Sequence, residues 1–137
     1  MELCKGIIPA LLTPFTKAED VDYQALRAHT RKMMEAGVHG IFCLGTNGEF
    51  YALTESEKLK IVETVVDEVN GKIPVYAGSG EIATRTVIHL TNEFQKLGVS
   101  AVSVITPYFI HPSQHELYEH YGRIARETEL PVILYNI

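Results

Sequence analysis

No stretch of the 137 residues approaches the roughly 20 consecutive apolar residues that a membrane-spanning helix needs. Basic charge is also in short supply. Twelve Lys and Arg face seventeen Asp and Glu, giving a formal net charge of −5. No Lys/Arg-rich stripe offsets that balance, which argues against a nucleic-acid partner. The two cysteines, Cys4 and Cys43, stand far apart without metal-type spacing. They read as reduced thiols of a cytoplasmic protein, with Cys43 buried in a strand. The opening Met1-Glu2-Leu3-Cys4-Lys5 lacks the basic-then-apolar layout of a secretory leader. No Gly-x-Gly-x-x-Gly follows the first apolar run, so a dinucleotide fold has no support. His111 and His115 are four apart, but Pro112 between them denies a shared helical face, and no metal site is expected.

What is present is the composition of a soluble globular domain: 46% hydrophobic and 21% charged residues. Apolar runs alternate with amphipathic stretches. Strands are expected at Gly6–Leu12, Gly40–Leu44, Pro74–Ala77, Ala101–Ile105 and Pro131–Tyr135. Four helices separate them. Asp22 caps the first, Leu26, Thr30, Met33 and Met34 share its inward face, and Gly37 ends it. A capping box at Thr54 and Glu57 opens the second, which carries Leu59, Val62, Val65, Val66 and Val69 to a stop at Asn70-Gly71. The third runs through Val87, Thr91, Phe94 and Leu97 to Gly98. Ser113 and Glu116 open the fourth, with Leu117, Tyr121 and Ile124 facing inward.

Strands joined by helices of this length imply βαβ units and a parallel sheet. Short, even spacing favours a (β/α) barrel over a doubly wound sheet. Ala36-Gly37-Val38 recurs as Leu97-Gly98-Val99, and Ile73-Pro74-Val75 as Leu130-Pro131-Val132, as repeated use of one unit requires. A complete (β/α)8 (TIM) barrel takes about 250 residues. Five strands and four helices are a little over half of one. Residues 1–137 are therefore expected to form the N-terminal part of such a barrel, ending after its fifth strand with open edges.

Barrel chemistry sits at the C-terminal ends of the strands. Here those ends are Thr13-Pro14-Phe15, Gly45-Thr46-Asn47-Gly48-Glu49, Gly78-Ser79-Gly80, Thr106-Pro107-Tyr108 and Tyr135-Asn136. They are rich in hydroxyls and turn glycines, hold no histidine, and carry Glu49 as their one carboxylate. Such a set suits hydrogen-bonded recognition of a carboxylate or carbonyl better than metal-assisted hydrolysis.

Gly45-Thr46-Asn47-Gly48-Glu49 with Leu53-Thr54-x-x-Glu57, Thr106-Pro107-Tyr108-x-x-x-Pro112 and Leu134-Tyr135-Asn136 together resemble the dihydrodipicolinate synthase / N-acetylneuraminate lyase family. The opening Gly6-Ile7-Ile8-Pro9-Ala10-x-x-Thr13-Pro14-Phe15 extends the likeness along the whole chain. The resemblance implies a (β/α)8 barrel assembled as a tetramer, handling pyruvate and an aldehyde through a lysine Schiff base, with no organic cofactor or metal. It gives Tyr135 a proton-transfer role and makes Thr46 the hydroxyl that links Tyr135 to the site. Asn47, with its own N–H and that of Gly48, would hold the pyruvate carboxylate, and Tyr108 would wall the site or meet another subunit.

Several positions depart from that pattern. Asn47 stands where many members have threonine. Phe109 replaces the second tyrosine with which synthases complete the relay, which shifts weight towards a keto-acid or sugar-acid aldolase. Ile82 replaces an asparagine of the lysine-feedback site, which argues against such feedback. The Schiff-base lysine of the family lies on the sixth strand, and Lys17, Lys58, Lys60 and Lys72 do not substitute for it. These residues alone are therefore expected to be inactive. Two other readings stand beside this one: a non-catalytic half barrel that associates with itself or a complementary half, and a phosphate-binding isomerase barrel lacking the Thr46–Tyr135 pairing.

Overall fold

A computed structural model describes residues 6–137; the leader-type reading of residues 1–5, and Cys4, lie outside them. Four strands, β1 (Ile41–Cys43), β2 (Val75–Gly78), β3 (Ala101–Ile105) and β4 (Val132–Tyr135), form one parallel sheet in sequence order. Four helices, α1 (Tyr23–Glu35), α2 (Glu55–Val69), α3 (Thr84–Leu97) and α4 (Gln114–Arg126), alternate with them. Two 3-10 turns, Thr46–Gly48 and Phe50–Ala52, lie between β1 and α2.

The helix ends follow their sequence signals. The Asp22 carboxylate accepts from Ala25 N–H at 2.9 Å, and Thr54 and Ser113 each close a capping box with Glu57 and Glu116. Asn70 and Gly98 end α2 and α3 in the left-handed conformation, which frees the last carbonyls from a continued helix. Consecutive helices pack side by side against one face of the sheet. Leu26 of α1, Ile61, Val62 and Val65 of α2, Val87 and Phe94 of α3 and Ile124 of α4 are buried there. They meet Ile41, Cys43, Ala77, Val102 and Val104 of the strands. At about 1.5–3 kcal/mol for each large apolar side chain, this layer is the main source of stability.

The expected first strand differs. Residues 7–11 run beside β1, with His39 N–H donating to Ile7 O at 2.9 Å and Phe42 N–H to Pro9 O at 3.1 Å. Only Ala10 forms a bridge, to Phe42. From Ile7 to Pro9 the segment advances two residues while the chain entering β1 advances three, from His39 to Phe42, so the pairing slips at Gly40. Pro9 also has no N–H to give. The segment takes the place of a strand without its regular ladder.

The face of the sheet away from the helices carries Phe42, Gly78, Ser103, Ile105, Ile133 and Tyr135, as the alternation along each strand and the pairs Gly78–Ser103, Ser103–Ile133 and Ile105–Tyr135 require. At β4 the cover thins on both faces: Ile133, on this face, is 41% exposed, and Leu134, beside Val104 on the helix face, is 64% exposed.

Candidate active site

β1 ends in a turn that only small residues permit. A Cβ on Gly45 would crowd the Phe42 ring, and one on Gly78 would strike the Leu44 carbonyl. The chain then enters the 3-10 turn at Thr46. The Gly48 carbonyl accepts from the buried Thr13 hydroxyl at 2.7 Å, which ties the turn to the segment beside β1.

Thr46 and Tyr135 line the same small cleft, together with Phe42, Leu44, Gly45, Phe50, Gly78, Gly80, Ser103 and Ile105. Its volume is about 10 Å³, room for roughly one water. The Thr46 hydroxyl is buried and has no hydrogen-bond partner among the described residues, so Thr46 and Tyr135 are not directly bonded. An orphaned buried hydroxyl beside a water-sized space is an invitation to a bridging group.

The other anticipated residues do not reach this cleft. Asn47, next in the turn, is exposed. Gly48 is buried, and its N–H already donates to the Gly45 carbonyl at 2.9 Å. That N–H closes the 3-10 turn, so of the two amides expected to hold a carboxylate only that of Asn47 is left outside the turn's own bonds. Tyr108 is half-buried and meets the cleft indirectly, its ring 5.8 Å edge-on from Phe50. Phe109 is 90% exposed at φ +72°, a strained backbone for a bulky residue. Among the described residues no group of three His, Cys, Asp or Glu is placed to hold a metal ion.

One cluster beside the cleft escaped the sequence reading. Lys58 is 5% exposed, and its Nζ donates to Glu81 Oε1 while sitting 5.8 Å from the centroid of the Phe50 ring. Burial, followed by the charge of Glu81 and a hydrogen bond to it, raises the Tyr108 phenol above its ordinary pKa. The signal was in the spacing. Lys58 falls on the same helical face as Ile61, Val62, Val65 and Val69, where a charge is anomalous. Glu81 lies one residue beyond the Gly78-Ser79-Gly80 strand end, just outside the set in which Glu49 stood as the one carboxylate.

Parallel βα units in sequence order, with their strand ends on one side, are the arrangement of part of a (β/α) barrel. A family model described as the dihydrodipicolinate synthetase family matches residues 3–137, and the chain belongs to that family. It is 42% identical over 134 residues to the 4-hydroxy-tetrahydrodipicolinate synthase of Methanopyrus kandleri, covering 97% of this chain and 45% of that protein. With the Bacillus subtilis protein of the same name it shares 41% identity over 132 residues, 96% of this chain and 46% of the other. Among solved structures, dihydrodipicolinate synthase from Aquifex aeolicus superposes with a TM-score of 0.94 at 39% identity, covering 98% of this chain and 45% of that one. YagE, a prophage protein of the family from E. coli K12 in complex with pyruvate, superposes with a TM-score of 0.95 at 35% identity, with 98% and 45% covered. The chain spans just under half the length of these relatives, and its fold is the N-terminal half of their barrel.

Proposed function

We propose that the residues described here form the N-terminal wall of a pyruvate-handling lyase site, in which Tyr135 moves a proton and Thr46 relays it. The buried Thr46 hydroxyl, unpartnered at a cleft that Tyr135 also lines, carries this reading. A phenol is protonated at neutral pH and can donate to a keto-acid oxygen, then recover its proton through a hydroxyl or one water. The exposed Asn47 amide, together with its N–H, is the anchor for the pyruvate carboxylate, without help from the Gly48 N–H. YagE, similar to this chain and crystallised with pyruvate, supports the substrate class. The second substrate is an aldehyde, and Phe109 in place of a relay tyrosine favours a keto-acid or sugar-acid aldolase over the biosynthetic synthase.

The electrophile-forming amine comes from the part of the barrel that these residues do not cover. Lys58, the one buried lysine of the described segment, is engaged by Glu81 and is not available as a nucleophile. By this reading the 137 residues catalyse no aldol reaction alone, and the protein is cytoplasmic. The exposed Phe109 and Ile110 beside Tyr108 fit a contact between copies in an oligomer, a tetramer by family likeness.

Borohydride reduction in the presence of pyruvate tests the proposal. The chain completed with the part of the Bacillus subtilis relative that it does not cover should gain the mass of a reduced pyruvate adduct on one lysine. The 137 residues alone should gain none. An unmodified completed barrel, or an adduct on the chain alone, would overturn it. A second reading, an inert half barrel that pairs with another copy, draws on the thinly covered β4 edge. It requires dimerisation without any adduct in either form.

A further inference from the structure

The cleft beside Thr46 has a polar side chain that the proton relay does not yet use. Apart from glycine backbone and the apolar Phe42, Leu44, Phe50 and Ile105, its walls are three hydroxyl-bearing residues, Thr46, Ser103 and Tyr135. Other hydroxyls close by are engaged elsewhere. That of Thr13 donates to the Gly48 carbonyl at 2.7 Å, and that of Ser79 accepts from Thr91 at 2.8 Å. Strand register explains why Ser103 reaches the cleft. It sits in the middle of β3, opposite Gly78 of β2 and Ile133 of β4. Side chains two residues apart on a strand share a face, so Ser103 lies on the face that also carries Ile105 and Tyr135. Gly78 puts no side chain between Ser103 and the turn after β1. The Ser103 backbone is tied on both sides, by the ladders to β2 and β4, and its carbonyl accepts from Ser79 N–H at 3.1 Å. A hydroxyl carried on such a strand is held more firmly than one on a loop.

We infer that Ser103 is a positioning residue for the relay: with Thr46 and Tyr135 it holds a single water in the cleft and fixes how that water lies between them. The purpose of this device rests on the keto-acid reading above; its place rests on the cleft. The space of about 10 Å³ takes one water. A buried water typically makes about three hydrogen bonds, and the three hydroxyls can supply that number. The Thr46 hydroxyl, buried and without a partner among the described residues, gains one. Held by two groups, a water still turns about the line that joins them. A third group fixes its protons and lone pairs towards Thr46 and Tyr135. Ser103 gives up no proton of its own.

Two measurements separate the water from its purpose. A high-resolution crystal structure of the chain should show one ordered water within hydrogen-bond distance of all three side-chain oxygens. In Ser103→Ala that water should be lost, or no longer reach both Thr46 and Tyr135. Purpose is read in the completed barrel as exchange of the pyruvate methyl protons with D2O, which needs no aldehyde. Ser103→Ala should slow exchange at saturating pyruvate by about tenfold, less than the loss of a relay member. The half-saturating pyruvate concentration and the yield of borohydride adduct should stay as in the parent, which a general loosening of the site would not allow. A parent crystal without the water, a water that keeps its place in Ser103→Ala, or an unchanged exchange rate would overturn the inference while the adduct still forms. A parent without adduct defeats the keto-acid reading itself and takes the role of Ser103 with it. If Ser103→Ala does not fold, Ser103→Cys fills the same place with a poor hydrogen-bonding group. It must then slow exchange, and an unchanged rate overturns the inference.

Discussion

Thr46, just past β1, and Tyr135, the last residue of β4, line one cleft although β2 and β3 separate them in the sheet. Neighbouring strands stand about 4.8 Å apart, so three steps across a flat sheet would hold them some 14 Å from one another. Their meeting requires the sheet to curl, with Gly78 and Gly80 leaving the inside of the curve open. The curl of a partial barrel is thus what assembles the candidate site.

Thr46→Val tests the unpartnered hydroxyl. The substitution keeps shape and removes a buried polar group without a partner among the described residues. Urea unfolding should show stability unchanged or raised by up to about 1 kcal/mol. In the completed barrel the same change should slow turnover by about a hundredfold or more, the usual scale of a lost proton-transfer step. A large loss of stability would assign Thr46 to the packing instead.

Cys43 offers a check on the core. Its Sγ lies against the Tyr76 carbonyl and is wholly buried, and that burial pushes its thiol pKa up to about 12. With Cys4 replaced by serine, the native chain should not react with a thiol reagent at pH 8, and should react once unfolded in urea. Rapid labelling in the native state would mean that β1 opens readily.

His120 should make stability depend on pH. Burial lowers its pKa from 6.5, with Nδ1 at 2.8 Å from the Thr84 hydroxyl. Above pH 6.5 the imidazole is neutral whether folded or unfolded and adds no slope. As pH falls below 6.5 the unfolded chain binds a proton that the folded one resists, so stability declines until the folded pKa is reached. Urea midpoints at pH 7.5 and 5.5 should differ less in His120→Gln than in the parent. Equal differences would contradict the assignment.

Two glycines should respond in opposite directions. At Gly78 a Cβ would strike the Leu44 carbonyl, backbone that cannot step aside. Gly78→Ala should cost about 1–3 kcal/mol. At Gly122, inside α4, a Cβ would meet only the Arg126 guanidinium at 3.3 Å, the far end of a flexible side chain. Gly122→Ala should stabilise by up to about 1 kcal/mol, since alanine holds a helix better. Thermal unfolding of both variants decides.

The starts of α1, α2 and α4 were legible to within a residue or two because their caps are local chemistry: Asp22, Thr54 with Glu57, and Ser113 with Glu116 act on N–H groups three residues away; α3 has no side-chain cap, and only its apolar spacing and Gly98 marked it. Strands β2 to β4 were legible for a different reason, as apolar runs bounded by Gly and Pro. The segment near Ala10 was not, since its slip at Gly40 depends on pairing with a distant partner. In the site, Thr46 and Tyr135 came from a motif, and the chain's curl brings them to one cleft. The use of the Gly48 N–H inside the turn was invisible to a reading of residue types. Lys58 and Glu81 went unpaired for the same reason: 23 residues apart, they meet only when α2 packs beside the loop after β2.

The central claim is that Thr46 and Tyr135 act as one unit on a keto acid. A double-mutant cycle in the completed barrel, with Thr46→Val, Tyr135→Phe and both together, measures this most directly as kcat/KM for pyruvate. If the two share one proton path, the double variant should be about as slow as the slower single variant. A double variant slowed by the product of the two single effects would show that they act separately, and the account would be wrong.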